Sequence, residues 1–228
     1  MLSVLVWWLV LQAIGLLALP IALRLLRFLP DRGFGFARQV GLLLGAYLLW
    51  ILVSLGILQN TRACAVFCLL LVGGASAFVW VREGKRMSAV LAERKRIVLV
   101  TEVLFFVSLA GFALFRAHNP DIAGTEKPME FGFLNAILRS RTFPPRDPWL
   151  SGYAISYYYF GYVIMAMLTR LSGLPSGVTF NLTGCMLFAL TVTGAFGLVY
   201  NMVQAHLDRS DQVTGRPRET ASWGSIAT

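Results

Sequence analysis

Three carboxylates, Glu126, Glu130 and Asp147, share one polar segment with four cations, Lys127, Arg139, Arg141 and Arg146. That combination fits group transfer from a phosphate-linked donor. A carboxylate takes the proton of an attacking hydroxyl, and cations hold the phosphate that departs. Glu126 and Asp147 are the first candidates for the base. A helix starting at Glu126 would favour its ionised form through the N-terminal dipole. Asp147 precedes Pro148 and follows Pro144-Pro145, so its backbone is stiff and its carboxylate is aimed reproducibly. Glu130 ranks just behind, because it shares a face with Glu126 only if the helix begins that early. Tyr157, Tyr158 and Tyr159 follow where the chain turns apolar again, and with the four cations they form the candidate substrate-binding set. The plainer account is a solvated, mutually neutralised loop next to an aromatic belt at the membrane interface. On a helix, three consecutive residues cover roughly 200°. At least one tyrosine hydroxyl should therefore point inward and need a partner.

The elements that must position these residues are membrane spans. A hydrophobic fraction of 57% with only 14% charged residues lies outside the range of ordinary soluble domains. A hydrocarbon core of ~30 Å takes roughly 20 helical residues to cross. Six segments qualify: 2–23, 40–58, 63–81, 98–115, 154–171 and 178–203. Backbone amides in lipid must be satisfied within each segment, so the spans are helices. The expected fold is all-α, a polytopic bundle of about six spans with one large outer loop containing an interfacial helix. The membrane domain covers 1–204, the loop 116–150, and a polar, disordered tail 205–228. The first segment lacks a basic leader, and Arg24 and Arg27 follow it, so it reads as a retained span. In the loop, Thr125 reads as an N-cap and Pro128 as a first-turn residue of a helix from 126 to 140. Its wide apolar face would lie along the membrane interface or against the bundle. Gly41 and Gly45, with Gly194 and Gly197, offer close helix approach.

The net charge of +9 is distributed unevenly. Arg24, Arg27, Arg32 and Arg38 crowd the first connection, and Arg82, Lys85, Arg86, Arg94, Lys95 and Arg96 the third. Arg170 stands in the fifth. This is solvated membrane-surface charge, with no nucleic acid implied, and it places those connections in the cytoplasm. Both termini and the loop 116–150 of this multi-pass cell-membrane protein are then extracytoplasmic. Met87, Val90 and Leu91 share a helix face among the basic residues, which suits a helix lying on anionic lipid. Glu102 stands about a turn from the cytoplasmic end of its span and would snorkel toward the basic connection. An acid at that depth also carries a functional reading. Cys64 and Cys68 share a helix face, but two thiols alone make no metal site, and Cys185 reads as core. The Asn181-Leu182-Thr183 sequon is discounted as lying on the cytoplasmic side.

Four motifs carry a family resemblance. They are Glu126-Lys127-Pro128-Met129, Phe133-Leu134-Asn135-Ala136-Ile137, Pro144-Pro145-x-Asp147-Pro148-Trp149-x-x-Gly152 and Tyr157-Tyr158-Tyr159-Phe160-Gly161. The chain from about 126 to 182 resembles the YYY membrane proteins, prokaryotic multi-span proteins grouped as domain of unknown function 2298. Members of that family continue through more spans, so the chain resembles an N-terminal portion. More distantly, the order of span, acidic outer loop and returning span is similar to the GT-C integral-membrane glycosyltransferases. That likeness implies a polyprenyl-phosphate-linked sugar as donor at the outer face, with a divalent metal in some members and none in others. No residue here is assigned to a metal, no cofactor is implied, and oligomeric state is open. The competing readings are a non-catalytic assembly or scaffold subunit and, behind it, a transporter. The spans hold few polar residues for a transport path: Glu102, Asn181 and Asn201, all near span ends.

Overall fold

The computed structural model describes residues 1–214, with side chains through 210. Seven α-helices follow one another: α1 (Leu2–Leu25), α2 (Ala37–Ser54), α3 (Arg62–Glu93), α4 (Lys95–Ala117), α5 (Lys127–Arg139), α6 (Phe160–Ser172) and α7 (Ser176–Thr214). A 3-10 turn, Phe34–Phe36, leads into α2. Among the described residues there is no strand, only an isolated bridge between Arg146 and Ala154. Five helices are long and apolar enough to cross a membrane: α1, α2 with its leading turn, α3, α4 and α7. Their outward faces carry large apolar side chains, such as Leu16, Leu70, Val107 and Phe115, as surfaces against lipid do.

The expected fifth span is the element that differs. α6 has 13 residues, about 20 Å of helix, against a core of ~30 Å. Its start is delayed because 145–155 fold on themselves instead. The Asp147 N–H donates to the Tyr153 carbonyl at 2.9 Å and the Ile155 N–H to the Pro145 carbonyl at 2.9 Å. The helix stops at Gly173, which is left-handed at φ 69°, with Pro175 just beyond. A side chain at such a φ is strained, so glycine terminates the helix there.

Both ends of α6 lie at the loop end of the bundle. At its start, the Trp50 indole N–H donates to the Tyr159 hydroxyl at 3.0 Å. At its finish, Arg170 donates to the Leu138 carbonyl at 2.6 Å, and Arg62 at the start of α3 donates to the Leu171 carbonyl at 3.2 Å. α6 is therefore a re-entrant helix, and α7 starts at the loop end. Asn181 accepts from Arg116 at the end of α4 at 2.7 Å. At the far end of α7, the Asn201 side-chain carbonyl accepts from the Asp31 N–H at 2.9 Å, in the connection after α1.

This order corrects two sequence expectations. Arg170 and the sequon at Asn181 stand at the loop end, not at the basic end. The described end of α7 lies opposite the start of α1, so the two do not share a face. The polar stretch from 205 begins as helix through Thr214; its remainder lies outside the described residues. The basic third connection is likewise no separate surface helix. α3 runs unbroken through Met87 and Val90 to Glu93, and α4 starts at Lys95.

The core is closed by glycines where helices meet. A Cβ on Gly41 would lie 2.7 Å from the Ile14 carbonyl of α1, and one on Gly45 would lie 2.7 Å from Leu69 of α3. A Cβ on Gly15 would lie 2.8 Å from the Arg38 side chain. That opening admits Arg38 to the bundle interior, where it is buried. Its guanidinium forms an ion pair with Glu102 of α4, hydrogen-bonds Gln12 of α1, and stacks 4.1 Å above the Phe105 ring. Gln12 in turn donates to Glu102 at 2.6 Å. Glu102 thus turns into the bundle rather than snorkelling, and Arg38 is not part of a solvated connection. A charge away from water is tolerated only when paired and hydrogen-bonded.

Two outcomes are expected. Cysteines placed at Ser140, Ser88 and His206 of the full-length protein should label so that 88 and 206 share a side and 140 stands alone. Labelling of 206 together with 140 would restore the six-span order. Arg38→Met should destabilise the detergent-solubilised protein by roughly 3 kcal/mol, because it strands Glu102 without its cation. Adding Glu102→Leu should recover most of that loss. An Arg38→Met variant as stable as wild type in thermal unfolding would show the pair to be dispensable.

Candidate functional site

The loop helix α5 starts one residue later than expected at 126. Glu126 is the N-cap position, with no side-chain cap bond, and its carbonyl accepts the Glu130 N–H at 3.0 Å. The apolar face of α5 packs against the bundle: Phe133, Leu134 and Ile137 are buried, and Phe131 meets Phe180 of α7 edge-on. Asn60, before α3, fixes the other end by donating to the Ile137 and Ser140 carbonyls at 2.8 and 3.0 Å. The Ser176 hydroxyl at the start of α7 donates to the Asn135 side-chain carbonyl at 2.9 Å. α5 is therefore held rigidly over the mouth of the bundle.

Beneath it, α2, α4, α6 and α7 enclose a groove of about 740 Å³, within the size range of small-molecule sites. Glu130, Lys127, Tyr162, Arg116 and Asn181 line its mouth. Leu42, Phe112, Met165 and Leu190 line its trough, and Gln39 stands at the far end. From Asn181 to Leu190 the wall runs about 14 Å along α7. The Gln39 side-chain carbonyl oxygen is buried there with no hydrogen-bond partner among the described residues. Leu43, Phe115 and Leu187 also line the groove and are more than half exposed, so it opens sideways on the lipid-facing surface.

The structure divides the candidate residues. It brings Glu130 and Lys127 into the groove. The Tyr162 hydroxyl donates to Glu130 at 3.4 Å, a long bond. Burial, followed by the negative charge of Glu130, pushes the Tyr162 phenol up to about 12, so it keeps its proton and remains a donor. Glu126 is exposed at the helix start and outside the groove lining, yet near enough that its charge acts on Tyr157 and Tyr162. Asp147 spends one carboxylate oxygen on its own turn, accepting the Trp149 and Leu150 N–H groups at 2.7 and 3.0 Å. Arg139, Arg141 and Arg146 are exposed and do not line the groove.

The tyrosine triplet is not helical, so its three side chains diverge for a different reason from the one expected. They stand in the irregular segment before α6 and separate into distinct environments. Tyr158 is 80% exposed and suits the interfacial belt. Tyr157 packs against Phe133 and Tyr158. Its hydroxyl is pushed up to about 12, first by its hydrogen bond with Tyr158. Tyr159 faces the bundle and accepts from Trp50. Arg116, Tyr162, Asn181 and Gln39 are the groove residues that sequence reading missed. Gln39, a lone amide where a span begins, was the available signal. Arg116 looked like an ordinary span end, but it donates to Asn181 and to the Asn119 and Asp121 carbonyls, which shapes the start of the loop.

The protein family described as "Uncharacterized membrane protein (DUF2298)" matches residues 44–227. The chain belongs to that family and is a membrane protein. The comparisons with curated proteins and with solved structures each returned no match. The matched stretch contains α3 to α7 and Glu102, while Gln12 and Arg38 precede it.

The three tyrosines should respond differently to loss of a hydroxyl. Tyr159→Phe should lower stability by about 1–3 kcal/mol, because the Trp50 N–H is left without its partner. Tyr158→Phe should stay within about 0.5 kcal/mol of wild type. Equal unfolding temperatures for both variants would mean that the triplet serves only as a belt.

Proposed function

We propose that this member of an uncharacterized membrane protein family takes a polyprenyl-phosphate-linked sugar at the outer membrane face and transfers the sugar to a hydroxyl acceptor. The observation that carries the reading is the two-part groove. Its mouth holds a carboxylate, a lysine, an arginine and a phenol, and its apolar trough opens sideways to lipid. A donor with a charged phosphate and a long hydrocarbon tail matches both parts. Neither part alone would distinguish it from an ordinary polar ligand or a bulk lipid.

In this reading Glu130 is the general base. The acceptor oxygen bonds to the anomeric carbon, Glu130 takes the acceptor's proton, and the bond from that carbon to the phosphate oxygen breaks. Polyprenyl phosphate leaves with the electron pair. Lys127 stands one helical turn from Glu130 and holds the phosphate, with the Arg116 charge behind it. Tyr162 orients Glu130. Glu126 contributes negative potential near the mouth, and Asp147 shapes the turn that leads to the tyrosines. This ordering of the three carboxylates follows from which of them reaches the groove.

An assembly role is the second reading, favoured by a separate observation. Trp149, Leu150, Tyr153 and Tyr158 are exposed beside one another in sequence at the loop end. Such a patch suits contact with another membrane protein as well as the lipid interface.

The full-length protein in liposomes, supplied with radiolabelled polyprenyl-phosphate sugars, should transfer label to an acceptor. Glu130→Gln should reduce the rate by roughly 10²–10⁴-fold with the fold intact. Glu126→Gln and Asp147→Asn should have smaller effects. Undiminished transfer by Glu130→Gln would remove Glu130 from the chemistry. Absence of transfer by wild type across a donor panel would favour the assembly role.

A further inference from the structure

At the opposite end of the molecule, the last turn of α1 and its following connection meet the late turns of α3. Between them lies a cavity of about 350 Å³. Arg27 and Arg32 line it from the connection after α1 and Arg86 from α3, and Leu23, Phe28, Met87 and Val90 supply apolar lining. Glu83 also lines it but is engaged by Arg24 at 3.1 Å. The three guanidiniums have no carboxylate partner among the described residues. Leu23 and Met87 are buried, whereas Phe28 in the lining is a strongly exposed apolar group, as are Leu25 of α1 and Val81 of α3.

The backbone holds this arrangement at a conformational cost. Arg32 is left-handed at φ 58°, followed by Gly33 at φ 79°. The cause is the buried Asp31, whose carboxylate accepts the Gly33 and Gly35 N–H groups at 2.8 and 3.4 Å and whose own N–H is held by Asn201. A non-glycine residue in that region persists only where its surroundings over-determine it. Here the Asp31–Asn201 anchor fixes the turn that carries Arg32 at the cavity.

We propose that this cavity is a binding site for an anionic phospholipid, with the lipid phosphate among Arg27, Arg32 and Arg86 and an acyl chain along Phe28 and the neighbouring apolar surface. Three guanidiniums match a phosphate through paired, charge-assisted hydrogen bonds. The apolar lining and exposed neighbours match a lipid rather than free phosphate. A choline headgroup would bring its own cation among the three arginines, so the site discriminates by net charge. The site is independent of the transfer reaction and lies at the other end of the bundle.

Native mass spectrometry of the full-length protein can count lipids retained from defined mixtures of phosphatidylglycerol and phosphatidylcholine. Wild type should retain phosphatidylglycerol selectively. Combined Arg27→Gln, Arg32→Gln and Arg86→Gln should weaken it on the order of 100-fold. Arg32→Gly suits the left-handed backbone and so keeps the fold, and it should cost about tenfold alone. The combined Lys85→Gln, Lys95→Gln and Arg96→Gln variant removes the same charge outside the cavity. In 0.15 M salt it should change retention by no more than about threefold. Equal losses in the two triple variants would overturn the site in favour of diffuse surface charge. Displacement of the lipid by millimolar inorganic phosphate would overturn the lipid assignment, and unchanged retention by Arg32→Gly would overturn the role of that turn.

Discussion

A charge carried into the bundle interior must find its opposite there, and Arg38 is the residue on which this requirement falls. Its ion pair with Glu102, with Gln12 between them, ties α1, α2 and α4 at one level. Arg38 is buried at that depth, so its ion pair with Glu102 and its bonds to Gln12 set the mutual register of the three helices. The absence of a side chain at Gly15 makes room for the aliphatic stem of Arg38, and Gly41 lets the same two helices approach closely. Gln39, the next residue on α2, is thereby placed at the deep end of the groove. The register of the ion pair and the position of the groove are two consequences of the same constraint.

The second constraint is the shortness of α6. A helix of 13 residues cannot cross the hydrocarbon core, so the chain returns to the end it came from. Arg62 donates to the Leu171 carbonyl at its finish, and its own Arg170 and the preceding Tyr159 tie it to Leu138 of α5 and Trp50 of α2. Re-entrant geometry survives at membrane depth only where protein covers it, and α5 supplies that cover. Because α6 turns back, α7 descends antiparallel to α4, and the stacked rings of Phe112 and Phe188 fasten the two. The groove is the space that remains beside a helix too short to fill its place. The trough is apolar because it is bounded by the lipid-level turns of the spans, and the mouth is polar because it is bounded by α5 and the loop-end turns of α4, α6 and α7.

The two ends of the molecule then carry different chemistry from the same supply of charges. At the loop end, acids and bases alternate and cover an apolar trough. At the other end, arginines gather around a turn pinned by Asp31 and Asn201. The long α3 joins these regions, since its first residue holds α6 and its late turns line the basic cavity.

Hydropathy alone determined the all-helical class and the five long spans, because apolar runs of that length have no other stable form in lipid. The loop helix was legible too, from Pro128 and the spacing of Phe131, Leu134 and Leu138. So was the grouping of Glu126, Glu130 and Lys127 at its start. The sixth apolar run was misread because composition does not record where a helix begins. Ala154 is apolar enough to belong to a span, but it is engaged in a bridge to Arg146. That one difference moved Arg170 and Asn181 to the loop end and the described end of α7 to the other. Tertiary structure also decided the partners. Arg38 in a run of surface arginines, Gln12 in an apolar span and Glu102 near a span end look unrelated in sequence. They become one cluster only when three helices pack. Choosing Glu130 over its neighbours as the groove carboxylate has the same reason. Side-chain type is local, but whether a carboxylate meets a cavity depends on residues more than thirty positions away, such as Tyr162.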